Sequence, residues 1–123
     1  MSMLEQARKS VVEVDPDQAR SELDAGEVDV FLDVREAHEW RKGYIEGALR
    51  IALDEVPEKA DASDPDAEPA LAGNSDARII VYCATGVRSL LGAHALQKLG
   101  YSNVVSLAGG IRDWRAGGHP VQR

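Results

Sequence analysis

Residues Ala77–Gly100 read A-R-I-I-V-Y-C-A-T-G-V-R-S-L-L-G-A-H-A-L-Q-K-L-G. Arg78–Tyr82 is a β-branched apolar run of strand length. From Val87 onward, apolar residues recur at helical spacing (Val87, Leu90, Leu91, Ala95, Leu96, Leu99) until Gly100, a natural helix stop. Between them lies Cys83-Ala84-Thr85-Gly86-Val87-Arg88, and Cys83 is the only cysteine in the chain. A strand that feeds a helix through so tight a loop aims successive backbone N–H groups, and the positive end of the helix dipole, at one point. A sulfur at the first loop position sits where a thiolate is stabilised. The pattern is that of a nucleophile in an anion cradle.

Outward from this stretch, strand and helix signals alternate. Met1–Ser10 is short and polar, and a frayed, flexible terminus is expected there. Val11–Val14 reads as an edge strand. Asp15-Pro16-Asp17 then starts a helix, with Asp15 as its cap and Pro16 at the first helical position. Val28–Val34 reads as a buried central strand ending at Asp33-Val34-Arg35-Glu36, followed by a short helix over Ala37–Lys42. Gly47–Leu53 is another strand candidate, and a weak helix follows near Asp54–Ala60. The stretch 54–76 is acidic, without apolar period beyond its start, and is expected to be a surface loop with one helical turn near Glu68–Ala72. Asn103–Leu107 reads as the last strand, and Gly109-Gly110 as a backbone turn into a helix over Ile111–Ala116. Such alternation implies an α/β fold with a parallel sheet and helices on both faces. Ligands of such sheets bind at the carboxyl ends of strands, where both Asp33–Glu36 and Cys83–Arg88 fall.

Composition narrows the function. The chain has 123 residues, 44% of them hydrophobic and 28% charged, enough for one domain with a modest core. A net charge of −7 argues against a nucleic-acid or anionic-membrane surface. One cysteine excludes an intramolecular disulfide framework and a cysteine-rich zinc site. His38, His94 and His119 show no metal spacing, so no metal or organic cofactor is expected. The opening residues hold no apolar run of signal-peptide kind, and the reading is a cytoplasmic, monomeric domain.

Five short motifs in register resemble the rhodanese family of single-domain sulfurtransferases. They are Asp33-Val34-Arg35-Glu36 with Glu39-Trp40, Gly43-Tyr44-Ile45-Glu46-Gly47-Ala48, the loop Tyr82–Ser89, Leu99–Val104, and Leu107–Ile111 with Trp114. The resemblance covers nearly the whole chain. It implies a single doubly wound domain, about five parallel strands flanked by helices, spanning residues 11–123. It also implies that Cys83 carries sulfane sulfur as a persulfide between a donor, such as thiosulfate or a persulfide, and an acceptor, such as cyanide, a thiol or a protein. Two departures stand out. Tyr44 and Glu46 occupy positions where the family usually has His and Pro, and Ala84 and Thr85 bring no charge where thiosulfate users carry basic residues.

Roles for the remaining site residues follow from chemistry. Ala84, Thr85, Gly86, Val87, Arg88 and Ser89 form the loop that would bind the donor, with Gly86 supplying an unusual backbone angle. Thr85 is a candidate hydroxyl donor, and Ser89 a helix cap or a support for Cys83. Arg88 either faces the donor or braces the loop by pairing with Asp33 or Glu36; the brace is preferred. Arg35 is then the candidate for holding an anion at the pocket mouth, with Asp33 and Tyr44 in support. Trp40 and Trp114 are expected as core anchors. Two other functions compete. A phosphatase or arsenate reductase of related fold brackets five residues between its cysteine and arginine, whereas Cys83 and Arg88 bracket four. A non-catalytic binding module would usually lack the cysteine.

Overall fold

The computed structural model describes all residues 1–123. Five parallel strands form one sheet in the order β1-β5-β4-β2-β3. They are β1 (Val12–Val14), β2 (Val30–Asp33), β3 (Leu49–Arg50), β4 (Ile79–Tyr82) and β5 (Val104–Leu107). The helices are α1 (Met3–Ser10), α2 (Pro16–Asp24), α3 (Val56–Lys59), α4 (Val87–Lys98) and α5 (Gly110–Ala116). A parallel strand pair needs a crossover, and each crossover here carries its chain over one face of the sheet or the other. The α/β doubly wound architecture follows. No helix is long and apolar enough to cross a membrane.

Side chains alternate across the central strands and divide the core in two. Leu32, Ile79, Val81 and Val104 face a layer that holds Ala7 of α1, Val56 of α3 and Leu90, Ala93 and Leu96 of α4. Phe31, Ile80, Tyr82, Val105 and Leu107 face the other layer, with Ala19 of α2 and Ile111 and Trp114 of α5. The central strand β4 is buried along its whole length, which is why it reads as an unbroken apolar run.

Several boundaries differ from expectation. Met1–Ser10 is not a frayed end: Met3–Ser10 is helical, with Ser2 and Glu5 exchanging cap hydrogen bonds, and Ala7 is fully buried. The helix forms because it has a partner, the α4 surface, which a local reading does not see. The expected strand Gly47–Leu53 shrinks to two residues, and Ala37–Lys42 is a 3-10 helix. The acidic stretch is more than a solvated loop. Leu53–Glu55 and α3 open it, and Val56, Ala60 and Leu71 sink into the core. The Tyr101 hydroxyl, 2.7 Å from the Ala60 carbonyl and 3.0 Å from that of Leu71, ties the stretch down.

Candidate active site

At the carboxyl end of β4 the chain turns through Cys83–Gly86 into α4. Cys83 is 1% exposed, and its Sγ accepts from the backbone N–H of Gly86 at 3.1 Å and of Ser89 at 3.3 Å. Gly86 has φ +105°, a left-handed value that turns its N–H back toward the sulfur. A Cβ at that position would also stand 3.2 Å from the Gly109 nitrogen. The N–H groups of Ala84, Thr85, Val87 and Arg88 donate to nothing within the chain. The loop therefore keeps free donors beside a sulfur already held by two others. Ala84 is half-buried, and Thr85 and Val87 are exposed.

Two serines stand behind the sulfur. Ser89 Oγ lies 3.5 Å from Cys83 Sγ, and the Ser106 hydroxyl donates to Ser89 Oγ at 2.8 Å. With that lone pair occupied, the Ser89 proton is free to point at a thiolate. Of the two positions expected for it, Ser89 Oγ lies against the cysteine, and the N-cap of the helix is Gly86. Ser106 was not singled out by the sequence reading, although a lone polar residue within the apolar run Val104–Leu107 is the signal that marks it: buried hydroxyls need partners.

The loop's carbonyls are held from the opposite side. Ile111 and Arg112, in the first turn of α5, donate to the carbonyls of Cys83 (2.9 Å) and Ala84 (3.1 Å). Gly110 makes this approach feasible, since a Cβ there would collide with the Cys83 carbonyl and the Ala84 backbone. Gly109-Gly110 is thus more than a turn: it seats one helix under the loop.

Arg88 braces the loop, but its partner is neither Asp33 nor Glu36. It forms a two-pronged pair with Glu39, at 2.7 and 2.9 Å. Glu39 Oε1 also accepts from the Glu36 N–H at 3.1 Å. The Arg88 hydrogen bonds, aided by that backbone bond, hold the Glu39 carboxyl at about 2 against the opposing effect of burial. Asp33 is unavailable to Arg88 because Arg35 and Trp40 already occupy it.

Arg35 is the clearest correction. It is 3% exposed and pairs with fully buried Asp33 through Nε (3.1 Å) and Nη2 (2.9 Å), while Nη2 also donates to the Gly43 carbonyl at 2.8 Å. Burial works to lower its pKa, yet the hydrogen bonds and charge of Asp33 raise it. An arginine so enclosed and neutralised does not hold an anion at the mouth; with Asp33 it clamps the end of β2. Trp40 Nε1–H donates to Asp33 Oδ2 at 2.7 Å and its ring stacks on Tyr44 at 4.0 Å, so Trp40 is half-buried and polar-tethered, while Trp114 is the core anchor. Tyr44 packs there, and its backbone pairs with Gln122.

The family model of the rhodanese-like domain matches residues 15–117, with every element of this site inside. The chain belongs to the rhodanese-like family. Among its relatives are a sulfur carrier protein and sulfurtransferases, alongside proteins named tRNA uridine(34) hydroxylase. It is 30% identical over 105 residues to the "Putative sulfur carrier protein YrkF" of Bacillus subtilis, covering 85% of this chain and 51% of that one. The chain thus spans about half that relative's length. The human single-domain sulfurtransferase TSTD1 superposes with a TM-score of 0.76 at 27% identity, over 87% of this chain and 97% of that one. A Rhodopseudomonas palustris protein of unknown function superposes with a TM-score of 0.90 at 30% identity, over 98% and 91% of the two chains, and is described as a "Possible Tyrosine Phosphatase". Rhodanese fold and relatives together support sulfur transfer at the level of the family.

Proposed function

We propose that the protein is a sulfurtransferase that carries sulfane sulfur as a persulfide on Cys83. The observation that carries this reading is the sulfur itself, buried at the head of the loop and accepting from two backbone N–H groups. The Cys83 thiolate attacks the outer sulfur of a donor. A new S–S bond forms, the donor's own bond to that sulfur breaks, and sulfite or a thiolate departs with the electron pair. An acceptor nucleophile (cyanide, sulfite, a thiol or a protein thiolate) then takes the sulfur and regenerates the thiolate. Donors aimed at a fixed point stabilise the charge on the sulfur without reorganising.

The phosphatase description of the Rhodopseudomonas neighbour calls for comparison. Phosphate ester cleavage needs room for a tetrahedral oxyanion and a cation directed at it. Here the loop is one residue shorter than that chemistry uses, and the Arg88 guanidinium is turned to Glu39. Both features favour a single sulfur atom over a phosphoryl group.

Intact mass after incubation with thiosulfate or an organic persulfide tests the reading, with Cys83→Ser alongside. The expected result is a gain of one sulfur mass, removed by cyanide and absent in the variant. No gain with either donor would leave a binding module of the same fold, and turnover of an aryl phosphate would favour the phosphatase.

A further inference from the structure

Beside the loop runs a groove of about 310 Å³, lined by Val34 and Leu53 and by Glu36, Asp54 and Arg88. Its charges do not balance. The Arg88 guanidinium is committed to Glu39 through two hydrogen bonds, and Arg35 is buried against Asp33. Arg50, at the end of β3, directs Nη1 to the Arg35 carbonyl at 3.3 Å. Glu36 and Asp54 are exposed and form no ion pair. The groove's own lining thus sets apolar Val34 and Leu53 beside two carboxylates without an ion-pair partner, and its one guanidinium is committed to Glu39; Arg50, outside the lining, keeps its charge against a neutral carbonyl.

Donor charge enters the chemistry directly. Attack of the thiolate on thiosulfate gathers three negative charges: the Cys83–S bond to sulfur forms, the bond to the sulfonate breaks, and sulfite leaves as a dianion. Attack on a hydropersulfide R–S–SH gathers one: Cys83 retains –S–SH and R–S⁻ leaves. With the sulfur out of water and two unpaired carboxylates in the groove that Arg88 shares with the loop, the first arrangement is disfavoured more than the second.

We propose that the sulfur donor is an organic persulfide of low charge whose carbon body lies on Val34 and Leu53, and that Glu36 and Asp54 select against small dianions such as thiosulfate. This rests on the persulfide reading of Cys83.

The test compares Cys83 loading, by intact mass over time, from thiosulfate and from the hydropersulfide of mercaptoethanol across ionic strength. The Glu36→Gln/Asp54→Asn protein is run in parallel; both positions are exposed, so its fold is retained. The alkyl persulfide should load faster, and thiosulfate loading should rise as salt screens the rim carboxylates. The double variant should speed thiosulfate loading about tenfold at low salt, narrowing the ratio between donors. Alkylation of Cys83 by iodoacetamide and iodoacetate reads the same field without sulfur transfer: the neutral reagent should lead by more than it does on free cysteine, and by less in the variant. Thiosulfate loading that outruns the persulfide, or that slows with added salt, would overturn the donor assignment alone. Loading by neither donor would overturn the persulfide reading with it, and the alkylation ratio would still report whether the rim repels anions.

Discussion

Ser89 offers the most direct residue-level lever on the cysteine, because its hydroxyl is the only side-chain partner of the sulfur: the Cys83 thiol donates to Ser89 Oγ at 3.5 Å, Ser106 donates to the same oxygen, and the Ser89 proton is left for the thiolate. A hydrogen bond to a charged acceptor contributes about 1.5–3 kcal/mol. Ser89→Ala should therefore slow persulfide formation at least about tenfold, with Ser106→Ala losing less, since it removes only the orienting partner. Stopped-flow loading rates would check this, and the thermal midpoints of both variants should stay within a few degrees of the parent. An unchanged Ser89→Ala rate would mean that the backbone N–H groups alone hold the charge. Asp33 makes a contrasting case. Its carboxylate accepts from Arg35, from the Arg35 backbone N–H and from Trp40, all in the interior. Asp33→Asn leaves the Arg35 charge buried without a counter-ion, and breaking such a pair costs about 3–5 kcal/mol. Urea unfolding should register that loss.

Among the elements, the loop is a joint effort of three. β4 delivers Cys83, α4 supplies N–H groups, and the first turn of α5 holds the carbonyls, so that loop donors face the sulfur while loop acceptors are satisfied behind it. Gly110→Ala pushes a methyl group into the Cys83–Ala84 backbone at a φ of +61°. Overpacking of this kind costs about 1–3 kcal/mol. The expected outcome is a lower unfolding midpoint together with slower loading, because the loop must shift to admit the methyl. The Glu39–Arg88 brace adds a pH dependence. The Glu39 carboxyl lies at about 2 in the folded chain against an ordinary 4.5. Its stabilisation is fully present above the ordinary value and is lost as pH falls toward the folded one. The stability gap between the parent and Glu39→Gln, read by urea midpoints, should hold at pH 6 and close progressively below pH 4.5. Sequence reading reached the Cys83 loop and the brace because their signals are local: an apolar strand, a tight loop, a helical period. It missed Glu39 as the partner and misassigned Arg35, because pairing between elements depends on how the 3-10 helix at Ala37–Lys42 swings past β2, and no local pattern encodes that.

For the molecule as a whole, charge and packing are unevenly distributed. Between Asp54 and Asp76 lie eight carboxylates and one cation, Lys59, which accounts for the full −7 of the chain, so the remainder is neutral. That concentration begins at Asp54, which lines the groove beside the loop. At the opposite end of the same layer, α1 covers α4. Its contacts fall on the later turns: Ser10 Oγ meets His94 Nδ1 at 3.1 Å, Gln97 donates to the Ser10 carbonyl at 3.0 Å, and Ala7 is wholly buried. No hydrogen bond from α1 reaches Val87, Arg88 or Ser89, the turn beside the sulfur. Ala7→Asp places a carboxylate in that contact with no cation to meet it, and should destabilise the protein by about 3 kcal/mol or more. The persulfide loading rate per folded molecule should nevertheless match the parent at a temperature where both are folded. A rate that fell along with stability would mean that α4 transmits disturbance from its far end to its first turn, and that α1 belongs to the site as well as to the fold.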